Sequence, residues 1–292
     1  MLHTIGNGFL TVSVREKGAE LQSILDSDGT EYLWQGDPRY WADRALNIFP
    51  YVARLTHGRY ELDGQQYAMD IHGLAPYLPF TLAEKTDSTM VLRLQADEKT
   101  LHHYPRAFVF SIGYALKADT LEISFQVENL DKKTMYFGLG GHPGFNVPLA
   151  PGNSFEDYRL AFTKPCTPRR IGFTQSCFLD GTDSEFPMED GRIIRLTHQL
   201  FDHDAIVLKD MDRQVTLESN TGPKITVTFP QMPYLGIWHW PKTDAPYVCI
   251  EPWSSLPSVQ DKITVFEKQN DLISLEPGKT YVNCWSIRIH AG

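Results

Sequence analysis

The sequence predicts an all-β fold, a large sandwich of antiparallel sheets. Three features predict it: a dominant period of two, almost no helical pattern, and turn formers scattered between short apolar runs. Residues 120–128 read Thr-Leu-Glu-Ile-Ser-Phe-Gln-Val-Glu, which puts Leu121, Ile123, Phe125 and Val127 on one face and polar residues on the other. Residues 214–218 and 224–229 repeat the alternation across Asn220-Thr221-Gly222-Pro223, as expected of a hairpin with one wet face. In the tail, Trp285, Ile287 and Ile289 alternate with Ser286 and Arg288. Asp63-Gly64 between residues 60–62 and 65–67 suits a tight hairpin turn. Only residues 98–103 and 197–203 carry a helical turn or two.

The 19 prolines and 21 glycines act as punctuation, and no period of 20 to 50 residues indicates a solenoid or propeller. No Pro/Ser-rich linker or charge block divides the chain, so residues 1–292 are expected to form one domain. Thirty-six acidic against 27 basic residues leave a net charge of −9, which disfavours a polyanion partner such as nucleic acid. The N-terminus has neither a basic region nor a long apolar run, and no stretch approaches a membrane span. The four cysteines show no metal-like spacing, so a soluble, cytoplasmic protein without membrane contact is expected. No association motif marks an oligomer.

Phosphate-loop, nucleophile-elbow and zincin motifs are absent, and Pro143 breaks the glycine fingerprint of dinucleotide sites. The candidates for chemistry are segments where the alternation breaks. Gly138-Leu139-Gly140-Gly141-His142-Pro143-Gly144-Phe145-Asn146 holds one imidazole among glycines. It suits either a reactive segment or a tight crossover loop with a solvated histidine. Tyr247-Val248-Cys249-Ile250-Glu251-Pro252-Trp253 delivers a carboxylate at the end of an apolar strand, which is costly unless paired or useful. Arg54 interrupts the apolar run Phe49-Pro50-Tyr51-Val52-Ala53-Arg54-Leu55, and His72 precedes Gly73. Both could donate hydrogen bonds to a polar ligand; equally, Arg54 could be half of a core ion pair and His72 a satisfied core histidine. The histidines show no ligand spacing with carboxylates, so no metal is expected.

In this order, these segments resemble the aldose 1-epimerase (galactose mutarotase) family, in particular its LacX-like branch. The resemblance extends over nearly the whole chain. It starts at Gly18-Ala19-Glu20-Leu21-Gln22-Ser23-Ile24 and Glu31-Tyr32-Leu33-Trp34-Gln35-Gly36-Asp37-Pro38 and runs through the segments above to Glu251-Pro252-Trp253. It implies a galactose mutarotase-like supersandwich and an isomerase that interconverts the α and β anomers of a hexose without cofactor or metal. Carried over by position, the general acid falls on His142 and the general base on Glu251. Arg54, His72 and an aspartate, Asp204 with Asp202 as competitor, would bind the sugar, with Trp253 and Phe145 packing on its face. Two departures stand out: Ala53 replaces a frequent glycine, and Pro76 replaces a frequent arginine, removing a cation expected at the mouth of the site.

Two alternatives share the fold: a hexose 6-phosphate mutarotase, and a non-catalytic carbohydrate-binding or sensor protein. A glycosidase would instead want two carboxylates about 5 to 9.5 Å apart, whereas the matched acid is a histidine.

Overall fold

A computed structural model describes residues 1–292. The expected alternation becomes two large antiparallel sheets. The nine-stranded sheet runs from Ile193–Arg195 at one edge through Thr280–His290, Thr120–Asn129 and Phe108–Lys117 to Thr81–Lys85 at the other. The seven-stranded sheet has the order Leu179–Glu185, Arg169–Phe173, Ile206–Lys209, Tyr234–Trp238, Tyr247–Trp253, Gly140–Asn146, Ala45–Ile48. Short sheets at the N-terminus and around Arg59–Leu62 cover the flanks.

Period-two patterning explains how the large sheets meet. Leu121, Ile123, Phe125 and Val127 point inward from the nine-stranded sheet and join Leu235, Ile237, Val248 and Ile250 of the seven-stranded sheet in one core cluster of 64 buried residues. The expected hairpins form, Gln214–Glu218 with Lys224–Thr228 and Arg59–Leu62 with Gln65–Ala68. In the second, Asp63 and Gly64 both take positive φ, as a tight hairpin turn requires. Helix is confined to Glu98–His103 and short 3₁₀ turns such as His198–Phe201. No helix is long and apolar enough to cross a membrane.

Residues of the seven-stranded sheet that alternate with the core positions face away from the sandwich. Along Tyr247–Trp253, Val248 and Ile250 enter the main core, while Tyr247, Cys249 and Trp253 belong to separate apolar clusters on the opposite face. Glu251 shares the parity of that second set, and the site is built there.

Candidate active site

The sheet register brings the two principal candidates together. Gly140 pairs with Trp253 and Gly144 with Cys249, so His142 lies opposite Glu251, two residues in from either pair. His142 Nε2 and Glu251 Oε2 are 3.2 Å apart, without the alignment of a hydrogen bond. On its other side Glu251 pairs with Gly236, where an added Cβ would lie 3.2 Å from Glu251 Cβ and 3.0 Å from the Trp253 ring. Gly236 thus keeps open the space that both side chains occupy. Gly140–Asn146 is therefore a strand, not a crossover loop, because Ala45–Ile48 and Tyr247–Trp253 supply ladder partners on both sides.

The two groups are almost fully buried, and burial disfavours charge on each. It pushes the His142 imidazole down to about 4, with its own carbonyl and the Asp204 charge offsetting part of the fall. The Glu251 carboxyl is driven well above the usual range, first by burial and then by Asp204, while the indole N–H of Trp253 opposes the rise. His142 Nδ1, Glu251 Oε2 and Trp253 Nε1 all lack hydrogen-bond partners. Such unpartnered buried groups are rare in folded proteins and cost about 1–3 kcal/mol each.

Around this pair opens a cleft of about 510 Å³ that Arg54, His72 and Asp204 also line. The segment before Arg54 and the turn holding His72 zip together. His72 N–H donates to the Ala53 carbonyl, and the Ala53 N–H donates to His72 Nδ1 at 3.3 Å. With Nδ1 accepting, the proton of the neutral ring sits on Nε2. Burial, helped by His142 and Arg54, holds His72 well below its usual pKa. Ala53 and His72 both adopt left-handed backbone, φ 54° and 64°, which accounts physically for a glycine preference at the first position. At Gly73 (φ 85°), an added Cβ would lie 2.3 Å from the Phe49 carbonyl oxygen, so this turn accepts no side chain there.

Arg54 is exposed on the cleft and forms no ion pair, so it is not half of a core salt bridge. Asp204, also left-handed at φ 73°, accepts the Ala205 N–H at 2.8 Å on Oδ1 and the Cys177 thiol at 2.9 Å on Oδ2. Burial and the Asp204 carboxylate push Cys177 up to about 11. Of the two competing aspartates, Asp204 lines the cleft and Asp202 does not.

Two expectations need correction. Phe145 is buried in the main core instead of lining the cleft, because it stands three residues from His142 and so faces the other way. Pro76 is buried, lies against Gly18 and does not itself line the cleft, although its neighbour Tyr77 does. The aromatic wall that sequence reasoning missed comes from Trp41, Trp238 and Trp240 beside the expected Trp253. Trp41 stacks on His142 at 4.8 Å between centroids, and Trp238 meets the same ring edge-on at 5.7 Å. Trp41 lies in an irregular segment where no periodicity flags it, although Trp238 shares the outward parity of its strand.

His142, Cys249 and Glu251 are also grouped closely enough for a metal, each offering a ligand atom within 4.8 Å of the others. Chemically, the cleft combines a buried imidazole–carboxyl pair, a free guanidinium, a neutral imidazole donor, a carboxylate acceptor and aromatic faces. That set matches a small polyhydroxylated ligand.

The aldose 1-epimerase family profile matches residues 1–283. The chromosomal protein LacX of Lactococcus lactis subsp. lactis is 32% identical over 293 residues, covering 97% of each chain. A galactose mutarotase related enzyme from Lactobacillus acidophilus superimposes with a TM-score of 0.94 at 32% identity, covering 100% of this chain and 98% of the other. A galactose mutarotase-like protein from Lactobacillus casei gives 0.93 at 30%, covering 99% and 100%. With the family match spanning almost the whole sequence, the chain belongs to the aldose 1-epimerase family of carbohydrate isomerases.

Proposed function

We propose that the protein is an aldose 1-epimerase that interconverts the α and β anomers of an unphosphorylated hexose by acid–base ring opening and closure. The observation that carries this reading is the buried, cross-strand His142–Glu251 pair, 3.2 Å apart on the floor of a polar and aromatic cleft.

Between them the two residues hold one mobile proton. With the proton on His142, the imidazolium faces the ring oxygen and the Glu251 carboxylate faces the C1 hydroxyl. Glu251 takes the hydroxyl proton as His142 protonates the ring oxygen; the C1–O5 bond breaks and the aldehyde forms. This transfer leaves a neutral imidazole and a neutral carboxylic acid, the forms that burial favours on both groups. After rotation about C1–C2, the acid returns its proton to the aldehyde oxygen as the C5 hydroxyl attacks and yields its own proton to His142. Each acid–base group contributes about 10²- to 10⁴-fold. Sugar ring opening already proceeds unaided in water, so two such groups with positioning suffice.

Arg54, neutral His72 and Asp204 supply donors and acceptors for the remaining hydroxyls. Arg54 is the single fixed cation of the lining, and Asp43 and Asp204 are fixed anions. That balance supports a neutral sugar over a hexose phosphate, whose dianion wants surplus cations. Polarimetry of freshly dissolved α-D-glucose and α-D-galactose tests the reading. Faster rotation change with the protein, lost in Glu251→Gln, is expected; no acceleration with either sugar overturns it.

A further inference from the structure

We propose that His142, Cys249 and Glu251 form a latent binding site for a thiophilic divalent cation of the zinc type, and that its occupation shuts off the acid–base pair. The inhibitory half rests on the epimerase reading; the binding half does not.

The grouping follows from register. Cys249 and Glu251 are two apart on one strand and therefore share a face, and His142 projects from the neighbouring strand opposite Glu251. Their ligand atoms lie within 4.8 Å of one another, so a shared ion would draw them closer together. All three residues are buried, and two of the candidate ligands already carry unpartnered polar atoms, Glu251 Oε2 and His142 Nδ1. A cation held beside Glu251 would satisfy its Oε2, which the protein itself leaves open. His142 and Glu251 line the cleft, which provides the entry path, while Cys249 closes the site from beneath.

The donor set selects the ion. One thiolate, one imidazole and one carboxylate are ordinary zinc ligands, and three protein ligands leave a fourth position open, here toward the cleft. The thiolate disfavours magnesium and calcium. Coordination displaces the thiol proton and the proton shared by His142 and Glu251. A thiolate and a carboxylate then neutralise the dication, so the loaded site carries no net charge into a desolvated pocket. Spacing along the chain concealed this set, because its members are 107 residues apart in sequence (142 to 249) and meet only through strand pairing.

Cys249 has no part in ring opening, which makes it the discriminating residue. Metal-free protein without sugar is titrated with Co²⁺ and then Zn²⁺, and mutarotation is followed with Zn²⁺ and with Zn²⁺ plus chelator. One Co²⁺ should bind with a near-ultraviolet thiolate charge-transfer band that Zn²⁺ abolishes. Zn²⁺ should stop mutarotation and chelator should restore it. Cys249→Ser should lose the band and weaken binding by more than the about 10- to 100-fold that loss of an outer-shell partner costs. It should also mutarotate undiminished in Zn²⁺; Cys249→Ala serves equally if the serine variant misfolds. Cys177→Ser controls for the other thiol of the cleft and should retain the band. Absence of binding, a band retained in the Cys249 variants, or a band lost instead with Cys177 overturns the proposal. A wild-type protein that binds cobalt as described but does not mutarotate sinks the epimerase reading and leaves the metal site standing.

Discussion

Glu20 and Glu251 are both fully buried, both on strands or their margins, and both raised in pKa by burial, yet they are opposites in their surroundings. Glu20 is saturated. It accepts the backbone N–H groups of Arg44 (2.8 Å) and Ala45 (3.0 Å), receives Gln22 Nε2 at 3.1 Å, and is ion-paired with Arg15. Those bonds fasten the N-terminal sheet to the strand Ala45–Ile48, which in turn pairs with the His142 strand. Glu251 Oε2 has no hydrogen bond, and its neighbours are an imidazole, an indole and a cleft. A structural carboxylate is surrounded by donors within the fold; a reactive one is left short of them, and its ligand completes the set.

The strongest test of that contrast is a pair of isosteric changes. Glu251→Gln should cut mutarotation by about 10²- to 10⁴-fold, read by polarimetry, with the fold intact. The same change should raise stability near neutral pH by about 1 kcal/mol. The sign follows from the raised carboxyl pKa: above the unfolded value the folded state must keep a proton or bury a charge, and glutamine does neither. The gain should therefore fade as pH falls below the unfolded carboxylate pKa. Glu20→Gln should do the reverse. It loses about 1–3 kcal/mol in denaturant unfolding, as expected when a buried acceptor of backbone N–H groups is weakened, and leaves kcat unchanged. If both variants lose activity equally while stability stays level, the contrast fails.

Acid sharpens it further. His142 and His239 are buried and held down to about 4. Between about pH 6.5 and 4 the unfolded chain takes up protons that these imidazoles refuse in the fold. Stability should fall as pH falls through that window, by at most about 1.4 kcal/mol per pH unit for each group. Unfolding midpoints from pH 7 to 4.5 check the slope, and His239→Gln should flatten part of it without involving the acid–base pair. The smallest effect belongs to Trp240, 45% exposed at the lip of the cleft. Trp240→Ala should raise KM about 3- to 10-fold at constant kcat, the scale of one aromatic contact.

Alternation along 120–128 made the sheets legible, but the facing of single residues was not read: Trp253 and Phe145 were expected together on the sugar, and only the strand pairing separates Trp253, on the Glu251 face, from Phe145, on the opposite one. His142, Glu251, Arg54 and His72 were legible as unusual residues in broken patterns, Asp204 came from the resemblance alone, and resemblance gave all five their roles; the structure brings all five to one cleft. Trp41 was not legible, because an irregular segment positions it by contacts such as the Trp34 indole N–H on its carbonyl at 2.8 Å. Nor was Gly236, whose importance lies in a side chain on the neighbouring strand. Pair relations across strands leave no local trace in either partner.

The placement of His142 directly across the ladder from Glu251 means that the reactive centre is a property of strand registration. Sliding Gly140–Asn146 by a single residue against its neighbour would turn the imidazole into the sandwich and bring Phe145 or Gly141 to the cleft face. On the proposed reading, turnover per molecule gauges folding fidelity: a chain that has acquired all its secondary structure but zipped one step out of phase would be silent, and regain of activity during refolding would time the moment at which these two strands lock.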